Sequence, residues 1–137
     1  MKLNRMHVVL SAELSTLTAE QNEDRTEELL QYLESLGMEF DRAEGCYKGV
    51  KEASFVVQLS TFQEVPMLME TAQGYGQESI LLVDARDKGY IIPLDGAELV
   101  PIGKMQTSSF EPTSEYVDAY TKLGGVYYFT YNFDTEK

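Results

Sequence analysis

A chain of 137 residues with 23 Asp and Glu against 11 Lys and Arg carries a formal charge of −12, a balance that repels nucleic-acid phosphates and excludes direct binding to them. Its apolar fraction of 43%, with 11% aromatic, is that of a globular chain with its own core, and no apolar run reaches the roughly 20 residues that span a bilayer. The single cysteine, Cys46, leaves no internal disulfide and no metal cluster; with a start that does not read as a signal peptide, the expectation is one cytoplasmic domain over residues 1–137, with no cofactor, no metal and no membrane attachment.

His7–Ala12 opens as a short strand. Thr18-Ala19-Glu20-Gln21 then has the capping-box pattern, in which Thr18 accepts a backbone N–H bond and Gln21 reaches back. The helix it starts runs to about Leu36, with Leu29, Leu33 and Leu36 plus Leu30 as its buried stripe and Gly37 as its C-terminal cap. Met38–Tyr47 and Ala53–Leu59 read as a hairpin turning at Gly49, and Phe62 to Gly74 as a second helix with Pro66 in its first turn. Ser79–Val83 is a buried strand, followed by a further hairpin, Gly89–Pro93 and Ala97–Ile102, around Asp95-Gly96. Residues 103–114 read as a polar loop, 115–123 as a short helix and Val126–Phe133 as an aromatic strand.

The order β-α-β-β-α-β plus a C-terminal hairpin predicts an α+β fold, a largely antiparallel sheet with two helices on one face, ferredoxin-like in element order.

Asn22 and Arg25 share a face of the first helix, where Arg25 could offer its guanidinium fork to an anion or simply pair with Glu28. Alternation puts Glu52 and Ser54 on one side of their strand and Lys51, Ala53 and Phe55 on the other. A glutamate beside a serine can act as acid or base, but no orienting partner is placed by sequence, so a turn-proximal charged pair is the plainer reading. Gly76-Gln77-Glu78 joins helix to strand. His7, the lone histidine, and Cys46 have no sequence neighbours that would activate them. The catalytic residues stay unassigned.

The pattern Asn22-x-x-Arg25-x-x-x-Leu29-x-x-x-Leu33, Gly45, Glu52-x-Ser54-Phe55-x-Val57, Tyr75-Gly76-Gln77-x-Ser79-Ile80 resembles an uncharacterised bacterial and phage family, a domain of unknown function. The resemblance covers residues 7 to 102 and leaves the aromatic segment 103–137 outside. It implies that Asn22, Arg25, Glu52, Ser54 and Gln77 converge, either as a polar ligand-binding pocket or as a buried network that fixes the fold.

The leading functional expectation is a small acidic, phage-encoded binding or regulatory protein, not an enzyme, engaging a host protein or a small charged ligand. Two alternatives stand beside it. One is a DNA-mimicking inhibitor of a nucleic-acid-binding host or defence protein; the other is a small hydrolase or transferase using Glu52 and Arg25. The tyrosine-rich C-terminal segment suggests homo-oligomer formation.

Overall fold

A computed structural model describes residues 6–113 and 115–131. In it, β1 (His7–Leu10), α1 (Ala19–Ser35), the hairpin β2 (Phe40–Tyr47) and β3 (Val50–Gln58), α2 (Val65–Gly74) and β4 (Ser79–Val83) form the first half. Five more strands follow: β5 (Lys88–Pro93), β6 (Val100–Lys104), β7 (Gln106–Ser108), β8 (Ala119–Leu123) and β9 (Val126–Phe129). All nine join one antiparallel sheet in the order β6-β5-β4-β1-β3-β2-β8-β9-β7.

That order corrects the expected ferredoxin-like α+β fold. The sheet's two edge strands, β6 and β7, are separated in the chain by Met105 alone. A sheet whose first and last strands are one residue apart has to curl until its ends meet, and the result is a nearly closed barrel carrying two short helices. Met105 ties the joint: its N–H donates to the Asp87 carbonyl at 2.7 Å. Its sulfur lies 3.0 Å from where a Cβ on Gly89 would stand, so the closing strand approaches β5 in a space that only glycine leaves free.

Local chemistry explains most elements. The Thr18 hydroxyl accepts from the Gln21 N–H at 3.1 Å and the Gln21 side chain accepts from the Thr18 N–H at 3.0 Å, completing the capping box. The β2–β3 turn uses Lys48 and Gly49, both at positive φ (48° and 85°), and the β8–β9 turn uses Gly124 and Gly125 (58° and 83°), the left-handed pair that a two-residue hairpin of matching twist requires. That second turn overturns the helix expected over 115–123: Ala119–Leu123 pairs with β2 on one side and β9 on the other. The end of β6 and all of β7 likewise replace the first part of the loop expected over 103–114. The distal part of the expected strand Val126–Phe133, with Phe133, lies outside the described residues.

The apolar residues of α1 and α2 (Leu29, Leu33, Val65, Leu68, Ala72) pack on one face of the sheet against Val8, Leu10, Phe55, Val57, Ile80, Leu82 and Ile92. Leu36, expected in the stripe, caps the helix and is exposed. A second cluster, Val117, Tyr120 and Phe129 with Cys46, Tyr127 and Tyr131 around it, absorbs the tyrosine-rich strands. Among the described residues no helix is long and apolar enough to cross a membrane.

Candidate functional site

The face of β3 turned away from the helices carries Glu52, Ser54, Val56 and Gln58 in alternation. Ser54 is buried, Glu52 half-buried. The residue opposite Glu52 on β2 is Gly45, and opposite Gly45 on β8 is Thr121. A Cβ on Gly45 would stand 2.7 Å from the Ser54 hydroxyl and 3.7 Å from Glu52 Cγ; glycine there is what lets both side chains occupy this face.

On the other flank, β1 pairs with β3 in a register that matches Val9 with Val56 and Leu10 with Phe55. The pairing ends there, and beyond it the Ser11 hydroxyl donates to the Ala53 carbonyl at 2.7 Å and accepts from the Glu13 N–H at 3.1 Å. Glu13 is thereby tied near the end of β3 that carries Glu52. Burial, and then the negative charge of Glu13, push the Glu52 carboxyl above its ordinary range. A second negative charge near a half-buried carboxylate opposes folding, so the backbone of Glu13 has to be held in place.

The remaining residues of the expected site do this. Asn22 grips the Leu14 peptide at both ends, its amide donating to the carbonyl at 2.9 Å and its oxygen accepting from the N–H at 2.9 Å. Arg25 donates through Nε to the Ala12 carbonyl at 2.7 Å and through its second nitrogen to the Tyr75 carbonyl. The same guanidinium lies over the Tyr75 ring, 5.1 Å from its centroid. Gln77 donates to the Glu13 carbonyl at 2.7 Å. Three side chains from α1 and the α2–β4 connection therefore clamp the backbone of residues 12–14. The Tyr75 hydroxyl in turn donates to Glu28 at 2.8 Å, and burial together with that bond pushes the phenol up to about 12.

The five expected residues fall into two groups. Glu52 and Ser54 lie on the face of β3 turned away from the helices, Ser54 buried and Glu52 half-buried. Asn22, Arg25 and Gln77 direct their hydrogen bonds to backbone, and among the described residues Arg25 bonds to neither Glu28 nor Glu52. Glu13 escaped the sequence reading altogether. Its place depends on the Ser11 hydroxyl, which links the Glu13 N–H to the Ala53 carbonyl, a contact that no pattern along the chain announces. A shallow cavity of about 630 Å³ lies beside Gln77, lined by Gln73, Glu78, Ser79, Pro93, Leu94 and Asp95; it contains neither glutamate of the pair, and the exposed carboxylates give it no built-in partner.

The family model for the S-adenosylmethionine lyase family matches residues 8–131, most of the chain, and the chain belongs to that family. No curated protein matches it. The residue pattern over 7–102 does mark a defined family, but not one without known chemistry. A lyase family overturns the expectation of a non-enzymatic binding or regulatory protein. Of the functions expected from sequence, the enzyme using Glu52 comes nearest, although a lyase is neither a hydrolase nor a transferase.

Proposed function

We propose, from membership in the S-adenosylmethionine lyase family, that this protein cleaves a carbon–sulfur bond of S-adenosylmethionine without consuming water, with Glu52 and Glu13 as the groups that hold the substrate's cationic end. The family match over 8–131 carries the reading. The charge pattern supports it: S-adenosylmethionine has a sulfonium, an ammonium and a carboxylate, hence a net positive charge, and a chain of −12 attracts such a molecule over long range.

The chemistry constrains where the carboxylates act. When the bond breaks, its electron pair passes to sulfur, the sulfonium becomes a neutral thioether, and the carbon left behind gains electrons from within the substrate, by loss of a neighbouring proton or by attack of an internal nucleophile. A carboxylate pressed on the sulfonium would favour the ground state, whose charge is disappearing, over the transition state. The α-ammonium keeps its charge throughout. Glu52 and Glu13 therefore fit the ammonium, which would relieve their mutual repulsion by sitting between them, while the buried Ser54 hydroxyl beside them offers a neutral hydrogen bond.

The test is product analysis by mass spectrometry after incubation with S-adenosylmethionine in heavy-oxygen water. The expected result is a free thioether and a co-product that carries no heavy oxygen at short times. Heavy oxygen entering the co-product during cleavage, or an intact substrate, overturns the reading.

A further inference from the structure

Four side-chain hydrogen bonds hold a stretch of only three residues, and three further contacts brace the side chains that make them. The Leu14 peptide is held at both ends by Asn22, the Ala12 carbonyl by Arg25 and the Glu13 carbonyl by Gln77. Arg25 is itself fixed by the Tyr75 carbonyl and ring, and Tyr75 by Glu28. A connection between a strand and a helix does not need this much to be ordered. Here the held segment carries Glu13, whose backbone is tied through Ser11 to Ala53, next to Glu52. We propose that Asn22, Arg25 and Gln77 are positioning residues of the lyase reaction, which keep Glu13 near Glu52 so that the two carboxylates form a ready-made seat for the substrate ammonium. This rests on the function proposed above, but its first test does not.

The geometry makes the clamp directional. Gln77 comes from the α2–β4 connection and Asn22 and Arg25 from α1, so the loop is pulled from two elements toward the end of β3. Without those bonds, repulsion from Glu52 would drive Glu13 outward to solvent. The groups facing Glu52 are few. Gly45 of β2 and Thr121 of β8 are uncharged, Lys51 and Glu44 pair with each other at 3.8 Å on the other face of the sheet, and among the described residues Glu13 is the charged group that acts on it. Burial raises the Glu52 carboxyl first and Glu13 adds to it, so the position of Glu13 is readable in the titration of Glu52.

Carbon-detected NMR of side-chain carboxyls, with Glu52 assigned through E52Q, follows that titration in wild type, Glu13→Gln, Gln77→Met and Asn22→Leu. Glu13→Gln is expected to lower the Glu52 midpoint, and Gln77→Met and Asn22→Leu to lower it in the same direction although neither alters a charge. A Glu52 midpoint that stays at the wild-type value in both clamp variants, or that Glu13→Gln leaves unmoved, overturns the proposal. Arg25→Lys, which keeps a cation but can serve only one of the two carbonyls, replaces either variant that does not fold. Kinetics form the second arm: Gln77→Met is expected to raise KM for S-adenosylmethionine by about tenfold or more, with kcat changed much less, since a displaced charge weakens seating of a cation that is unchanged by the reaction. Equal loss in kcat with KM unmoved counts against a seating role. If wild type leaves S-adenosylmethionine intact, the functional reading fails while the NMR arm still decides whether the clamp sets Glu13.

Discussion

On the helix-covered face of β3, Phe55 and Val57 are fully buried among leucines of α1 and α2, while the other face of the same strand carries Glu52, Ser54 and Gln58. The first face gains from every contact it makes. The second places a half-buried carboxylate near another one, and both sides of the strand are separated by no more than its pleat. Changes at Phe55 and Val57 should therefore act on stability and changes at Glu52 on chemistry, although Val56, on the second face, is as buried as they are.

The comparison is sharpened most by truncating the helix side. Leu33→Ala removes a side chain with no exposed surface and is expected to cost about 3–5 kcal/mol, the range for a large cavity in a rigid core, measured by denaturant unfolding. The opposite-face counterpart is Glu52→Gln, expected to lower kcat/KM for S-adenosylmethionine by about 100-fold, near 2.7 kcal/mol of transition-state binding, without loss of fold. A Glu52→Gln enzyme of full activity would show that the polar face is only architecture. Gly45→Ala should blur the division, since its new Cβ collides with the Ser54 hydroxyl. A cost of about 1–3 kcal/mol is expected from overpacking, together with reduced cleavage.

The pH dependence of folding should separate the faces further. Glu52 is raised in the folded state, so between the ordinary glutamate range and its raised value the folded chain holds more proton than the unfolded one. Stability contributed by this group therefore falls as pH rises through that window and stays lower above it. Glu52→Gln is expected to flatten this segment of the stability–pH curve and to leave the protein somewhat more stable at neutral pH. An unchanged slope would mean that Glu52 is not the group concerned. The smallest effect belongs to the helix side: the Thr26 hydroxyl is buried without a hydrogen-bond partner among the described residues, and Thr26→Val should stabilise by about 1 kcal/mol, the scale of an unmet buried polar group.

Much of the local structure was legible in the sequence. Thr18 and Gln21 announced the start of α1, Leu29 and Leu33 its buried stripe, and Glu52 and Ser54 their shared side of a strand. What stayed hidden depended on partners far away in the chain. Ala119–Leu123 is too short to show a period of its own, and its strand character comes from pairing with β2 and β9; the Gly124-Gly125 turn was the readable clue. The site divided in the same way. Asn22, Arg25 and Gln77 each had a bland reading along the chain, because their partners are backbone carbonyls of residues 12–14 and 75 that no side-chain pattern reveals. Glu13 gains its meaning only from the strand across from it.

Met105 has a consequence for how the molecule comes together. Closing a ring from two distant ends of a chain exacts an entropic toll that grows with the length of the loop between them. Here the two ends of the ring are neighbours in the chain, spliced by one residue, so the toll for that last meeting is close to nil. Each half need only zip onto the central strands from its own side, and the circumference is fixed when both have done so. The same splice is the place where a single proteolytic cut would turn the hoop into a ribbon without removing one inter-strand bond.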